Sequence, residues 1–198
     1  NVAAFRMDYE DIQISASSDQ VTTASTKANL GEATIQGLEI EMTAIISENF
    51  TLGANIGYLD DEIDSLTGTL VSNTVVIGKG NDLANTPDWT LSLMAKYEME
   101  LSNGATLSLR ADYAAKDDFY YRAENLVETK NDDYQNLNIN GTYITADGSW
   151  EAAVGLRNAT DEEYYQSVTP FSSNGLVFGQ PVRPRTAYFS LQYNFGSQ

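Results

Sequence analysis

Apolar and polar side chains alternate along most of this chain. From 50 to 58, Phe50, Leu52, Ala54, Ile56 and Tyr58 fall on one face and Thr51, Gly53, Asn55 and Gly57 on the other. From 89 to 101, Trp89, Leu91, Leu93, Ala95, Tyr97, Met99 and Leu101 oppose Thr90, Ser92, Lys96, Glu98 and Glu100, with Met94 the exception. The pattern returns at 107–113, 136–143, 150–157 and 187–195. A period of two is that of a half-buried strand, and no segment carries a comparable 3.6-residue stripe. Two further segments fit with a flaw. Leu38, Ile40, Met42 and Ala44 alternate with Glu39, Glu41 and Thr43, but Ile35 has the wrong parity, so a bulge is expected at Gly37. Ala3, Phe5, Met7 and Tyr9 alternate with Arg6, Asp8 and Glu10 before Ile12 and Ile14 switch phase. The expectation is an all-β chain of about eight antiparallel strands.

The connections sort by length. Ser47-Glu48-Asn49, Ser102-Asn103-Gly104 and Ala146-Asp147-Gly148 read as short hairpin turns. The other connections, about residues 15–29, 61–87, 118–132 and 160–183, are long. Short and long alternate, so an up-and-down meander places every short turn at one end and every long loop at the other, as transmembrane barrels do. On the apolar face, Phe50, Tyr97, Tyr143, Trp150, Tyr193 and Phe195 fall near the short-turn end, and Tyr58, Trp89 and Tyr113 near the long-loop end. Two aromatic girdles around an aliphatic band suit a bilayer with two interfaces. The opposite face, with Asn136, Asn138, Asn140, Arg110, Asp112, Lys96, Glu98, Glu39 and Glu41, is too polar for a dry core and has to meet water. The fold expected is an antiparallel up-and-down meander forming a transmembrane β-barrel wall. A soluble sandwich with its apolar faces packed together shares the alternation.

Composition narrows the chemistry. The 198 residues carry 28 Asp+Glu against 11 Lys+Arg, a formal charge of −17 that disfavours nucleic acid as a partner. There is no Cys and no His, which removes disulfides, His-metal sites and Ser-His-Asp or Cys-His catalysis. No metal or cofactor is expected, and no carboxylate pair stands out for glycoside hydrolysis. No apolar run reaches the roughly 18 residues of a spanning helix. The acidic groups at the loop mouths (Asp60-Asp61-Glu62 with Asp64, Asp117-Asp118, Asp132-Asp133, Asp161-Glu162-Glu163) lack Ca²⁺-loop spacing and read as solvated charge. On the polar face Arg110, Lys96 and Arg157 are expected to pair across strands with Glu98, Asp112 and Glu151. The chain opens at Asn1 with no leader pattern, as a mature product or a piece of something longer.

Several segments, in order, resemble the C-terminal barrel strands of TonB-dependent outer-membrane receptors. They are Ala4-Phe5 with Asp8-Tyr9-Glu10-Asp11-Ile12-Gln13, Gly37-Leu38-Glu39-Ile40-Glu41 and Asn85-Thr86-Pro87-Asp88-Trp89. Further along come Asn158-Ala159-Thr160-Asp161-Glu162-Glu163-Tyr164-Tyr165, and Arg183-Pro184-Arg185 leading to Tyr193-Asn194-Phe195. The resemblance implies a barrel of about 22 strands filled by an N-terminal plug, importing a scarce nutrient such as an iron–siderophore complex. Residues 1–198 would be its C-terminal segment, without plug, energy-coupling box or earlier strands, and continuing past the terminal Phe with Gly196-Ser197-Gln198. The implied partners are outer-membrane lipid and lipopolysaccharide, the barrel-assembly machinery, TonB through the plug, and the nutrient. Ligand contacts are expected from Phe119, Tyr120, Tyr121 and Arg122 in one loop and Tyr164, Tyr165, Gln166 and Phe171 in another. Phe50, Tyr58, Trp89, Tyr97, Tyr113, Tyr143, Trp150 and Tyr193 are the expected membrane-interface aromatics, and Tyr193 with Phe195 the assembly signal. Two other readings stay open: a complete eight-stranded outer-membrane barrel with a structural or adhesion role, and a soluble carbohydrate-binding sandwich. Edge strands left apart would mark the receptor segment, and edge strands closed on each other the complete small barrel.

Overall fold

The computed structural model describes residues 1–17, 25–29, 31–66, 71–72, 75–171 and 176–195. Eight strands form one sheet: β1 (Val2–Tyr9), β2 (Gly31–Ile45), β3 (Phe50–Leu66), β4 (Trp89–Glu100), β5 (Thr106–Lys116), β6 (Tyr134–Ile144), β7 (Trp150–Arg157) and β8 (Thr186–Tyr193). Each pairs antiparallel with the next in chain order, and β1 and β8 do not pair with each other. The sheet is an open meander, not a closed eight-stranded barrel. Four two-stranded ribbons decorate the long connections: Gln13–Ser17 with Ser25–Asn29, Val71–Ser72 with Val75–Val76, Phe119–Tyr120 with Lys130–Asn131, and Tyr165–Phe171 with Leu176–Pro181.

The short turns are closed by local chemistry. In the β6–β7 turn, Thr145 N donates to Trp150 O at 3.0 Å and Gly148 takes a positive φ of 66° that a side chain would resist. The Asp147 carboxylate accepts from Thr145 Oγ1 at 2.6 Å and from the Ser149 hydroxyl at 2.8 Å. These hydrogen bonds hold it low, at about 2.

Paired residues put all apolar sets of β3 to β8 on one face, and no second layer covers it among the described residues. Trp89, Leu109, Val154 and Phe189 keep 51%, 48%, 62% and 71% of their surface exposed. A sandwich would have buried them. Met94, on the polar face, fills the space beside Gly53, where an added Cβ would stand 3.3 Å from its methyl.

Three expectations are corrected by the register. No bulge lies at Gly37; the pairing runs evenly through it and shifts between Glu32 and Ala33, where β3 accommodates Asp64. Gly37 is required because the Phe5 ring crosses it: a Cβ there would stand 2.7 Å from the ring and 2.5 Å from Tyr58 O. Phe5 thereby lies on the same face as Gly37 and Glu39, so the apolar set of β1 (Ala3, Phe5, Met7, Tyr9) belongs to the polar side of the sheet. Finally, residues 61–66, expected within a long loop, are strand.

That extension explains the parity of Ile35. Beyond the row Leu38, Tyr58 and Trp89 the two faces exchange character. On the side that is apolar lower down, Gln36 Nε2 donates to Asp60 Oδ2 (2.7 Å) and Thr34 Oγ1 to Asp64 Oδ2 (2.7 Å). On the other side Ala33 and Ile63 are buried with Ile77, Leu83 and Ala123, and Ile12, Ile35 and Leu66 pack against them. The only sizeable apolar core among the described residues therefore sits at the long-loop end, on the polar side of the wall.

Candidate functional site

The core at the long-loop end fixes two connections against the wall. The Leu83 amide donates to Asp61 Oδ2 at 2.5 Å, and Gly80 N to Ile63 O at 3.1 Å. The β3–β4 connection is tied in turn to the β5–β6 connection: Asn81 Nδ2 donates to Ala123 O (2.8 Å), Asp82 N to Asn125 Oδ1 (2.8 Å), and Asn125 Nδ2 to Asp82 O (3.1 Å). The acidic groups of the mouth are mostly engaged. Asp118 pairs with Lys130 at 2.7 Å and Asp161 with Arg185 at 3.3 Å. Burial, with the Asp118 charge second, raises the Asp82 carboxyl above its ordinary value; burial and the Asp117 charge do the same for Asp88.

The two expected ligand loops meet at tyrosines. The Tyr121 hydroxyl donates to Tyr165 O. Tyr164 stacks on Tyr134, with ring centroids 3.9 Å apart and planes at 10°. Burial, reinforced by the phenols of Tyr134 and Tyr164, raises Tyr121; burial also raises Tyr164, against a hydrogen bond from Asn136. Tyr121, Tyr134 and Tyr164 thus form one patch at the top of the polar wall, with all phenols protonated at neutral pH. Phe119 is buried against Tyr121, their centroids 5.0 Å apart. Tyr120 lies under Lys130, 5.9 Å from its ring. Arg122 is tied to Glu124 at 3.0 Å. Tyr165 and Gln166 are exposed, and the side chain of Phe171 lies outside the described residues. Beside the patch is a cavity of about 420 Å³ lined by Ile12, Leu83, Thr86, Tyr121, Arg122 and Glu124 among others.

Two contributors escape sequence reading. Tyr134 sits at the edge of an alternating run, where nothing marks it as a stacking partner. Asn158 is 3% exposed and adopts a φ of 50°. Its Nδ2 donates to Glu162 O (2.9 Å) and Arg183 O (3.2 Å), and its Oδ1 accepts from Glu162 N (2.9 Å). It joins both stems of the β7–β8 connection and so places Tyr164.

Lower on the polar wall, the ion pairs run along strands and not across them. Lys96 pairs with Glu98 at 2.7 Å and Arg110 with Asp112 at 2.7 Å, while Lys96 and Arg110 are the cross-strand neighbours. Residues two apart share a face at strand spacing, so the nearer carboxylate takes the cation. Arg157 pairs with no carboxylate among the described residues; its guanidinium lies 5.2 Å from the Tyr188 ring centroid.

On the apolar face, ring centroids are 6.5 Å apart for Phe50 and Tyr97, 4.8 Å for Tyr58 and Trp89, 4.8 Å for Trp150 and Tyr193, and 4.7 Å for Tyr193 and Phe195. Tyr113 donates to Gln135 at 2.8 Å, and Tyr143 accepts from Asn103 at 3.4 Å.

Residues 1–159 match the family described as TonB dependent receptor-like, beta-barrel. No curated protein matches the chain. Among solved structures, the ferric yersiniabactin uptake receptor FyuA from Yersinia pestis is similar at a TM-score of 0.75 and 15% identity, over 98% of this chain and 27% of that one. The siderophore receptor PiuA from Acinetobacter baumannii is similar at 0.73 and 19%, over 97% and 25%. The copper transporter OprC is similar at 0.65 and 14%, over 98% and 28%. At these identities the likeness concerns the fold, and the chain spans about a quarter of the length of each of these proteins.

Proposed function

The chain belongs to the TonB-dependent receptor-like β-barrel family, and from that premise we propose that it supplies the C-terminal eight strands of a receptor that captures and imports a scarce nutrient. Receptors of this family are outer-membrane proteins of Gram-negative bacteria, and the chain is a segment of such a barrel. The apolar face meets lipid and lipopolysaccharide, with Phe50, Tyr97, Tyr143, Trp150 and Tyr193 at one interface and Tyr58, Trp89 and Tyr113 at the other. The polar face lines the lumen. Tyr193 and Phe195 form the signal for the barrel-assembly machinery. Energy reaches the receptor through TonB and a plug on the N-terminal side of this segment. The work is binding and passage, without covalent chemistry.

The observation that carries the capture reading is the tyrosine patch: Tyr121, Tyr134 and Tyr164 from two loops and the wall, gathered where the lumen opens outward. Half-buried aromatic platforms with polar rims suit a small ligand of mixed character. Iron–siderophore complexes are the class we favour, since FyuA is a ferric yersiniabactin uptake receptor and PiuA a siderophore receptor; the copper transporter OprC makes copper the competing cargo. The test is deletion of the encoding gene, followed by uptake of labelled ferric siderophores and of copper under starvation. Loss of one ferric siderophore, restored by the wild-type gene and not by Tyr164→Ala, is expected. Unchanged uptake of every siderophore would overturn this reading.

A further inference from the structure

Most cations of this acid-rich chain are neutralised. Among the described residues Arg6, Lys96, Arg110, Arg122, Lys130 and Arg185 each pair with a carboxylate. Arg157 does not, yet it is held in place. It ends β7 on the polar face, and its guanidinium lies 5.2 Å from the Tyr188 ring. That ring is itself fixed at both ends. It comes from β8 and lies across Gly155 of β7, where an added Cβ would stand 2.6 Å from it. Its hydroxyl accepts from Asn140 Nδ2 of β6 at 2.8 Å. One tyrosine thus ties three strands together and supports an arginine on its face.

We propose that Arg157, backed by Tyr188 and Asn140, is an oxyanion-binding subsite on the lumen wall that takes a carboxylate or phosphate group of the captured ligand. The guanidinium is a planar fork that matches such groups bidentately. With one face on an aromatic ring it is already oriented, so less side-chain entropy is lost on binding. The positions beside it on the neighbouring strands carry no charge. β6 presents Asn138 and Asn140, and β8 presents Thr186 and Tyr188. On β5, Asp112 is taken by Arg110; on the β7–β8 connection, Asp161 is taken by Arg185, and Glu162 and Glu163 stand outside ion-pair distance. On β7 itself Glu151 lies near the opposite end of the strand. The subsite lies on the same wall below the stack of Tyr134 on Tyr164: Asn136 hydrogen-bonds Tyr164, and Asn138, the next residue of β6 on that face, accepts from Asn158 N next to Arg157. A ligand resting on the stack can therefore place an anionic group on the fork.

This subsite rests on the capture reading for the source of the anion, and its test is independent of import. Full-length receptor in detergent is modified with phenylglyoxal, which reacts with free guanidinium groups, with and without millimolar inorganic phosphate. Labelling is read peptide by peptide. Arg183, exposed and without an ion-pair partner among the described residues, is the internal reference. Phosphate at about ten times its dissociation constant is expected to slow modification of Arg157 by about tenfold and to leave Arg183 nearly unchanged. Tyr188→Leu is expected to remove the protection. Equal response at the two arginines would overturn the subsite. So would an Arg157 that is shielded without phosphate, because its partner would then be a carboxylate of the receptor itself. Protection in a receptor that fails the uptake test would leave the subsite standing and defeat the capture reading.

Discussion

At the residue scale, the wall depends on side chains that satisfy several backbone groups at once. Asn158 is the clearest. Truncation to Ala leaves two carbonyls and an amide without their partners and puts a Cβ-bearing apolar residue at φ 50°, which Asn tolerates better. Asn158→Ala should destabilise the β7–β8 connection by about 1–3 kcal/mol. Limited proteolysis of detergent-solubilised receptor should then cut within 160–183 first, whereas Asn158→Asp, which keeps the acceptor, should lose less. Unchanged cleavage in the alanine variant would contradict the role. Little of this was legible in the sequence. The run from Asn158 to Tyr165 resembles a family segment, but the pattern does not say that the Asn side chain turns inward to hold Arg183 of the returning stem. Likewise alternation assigns Arg157 and Glu151 to one face and suggests a pair, while six residues of extended strand separate them by about 20 Å.

Elements were legible where two opposed environments act on one strand. Strands β4 to β8 have lipid on one side and water on the other over most of their length, so their alternation is clean and their limits follow from it. β2 and β3 pass through two regimes. Past Leu38 and Tyr58 the apolar side turns inward onto Ile77, Leu83 and Ala123, and a pattern that changes sign midway reads as a strand ending. That is why 61–66 looks like loop and Ile35 looks misplaced. The short turns were the most legible, because Asn-Gly and Asp-Gly chemistry is local. In the β6–β7 turn Asp147 is held at about 2 by Thr145 and Ser149. A depressed carboxyl contributes stability that is complete above its unfolded value of 3.8 and is lost as pH falls through about 2. Amide exchange in this hairpin should therefore stay slow from neutral pH down to about pH 4 and accelerate only below it, once corrected for intrinsic rates. Asp147→Ala should exchange faster at neutral pH and show no such acid step. An acid step that persists in the variant would assign the titration to another group.

At the scale of the whole molecule, the two faces of one sheet have to meet different solvents. The apolar face exposes Leu93, Leu109, Ile139, Val154, Phe189 and Leu191 side by side, far more than a soluble monomer leaves in water. From the row Tyr58–Trp89 to the row Phe50–Tyr97, the aliphatic band of β3 and β4 spans eight residue steps of tilted strand, or about 20 Å along the membrane normal. The polar face cannot be turned to lipid, because Lys96, Glu98, Arg110 and Asp112 would each be desolvated there. Both tryptophans of the chain lie on the apolar face, Trp89 at its outer edge and Trp150 at its inner edge. A receptor reconstituted in phospholipid and retaining only Trp89, or only Trp150, is therefore a depth gauge for each edge. Brominated lipids should quench either residue most strongly when bromine sits near the headgroup and least when it sits at the chain terminus. Strong quenching of either by terminal bromine would place that edge at the midplane, and the assignment of the two girdles to the two interfaces would fail.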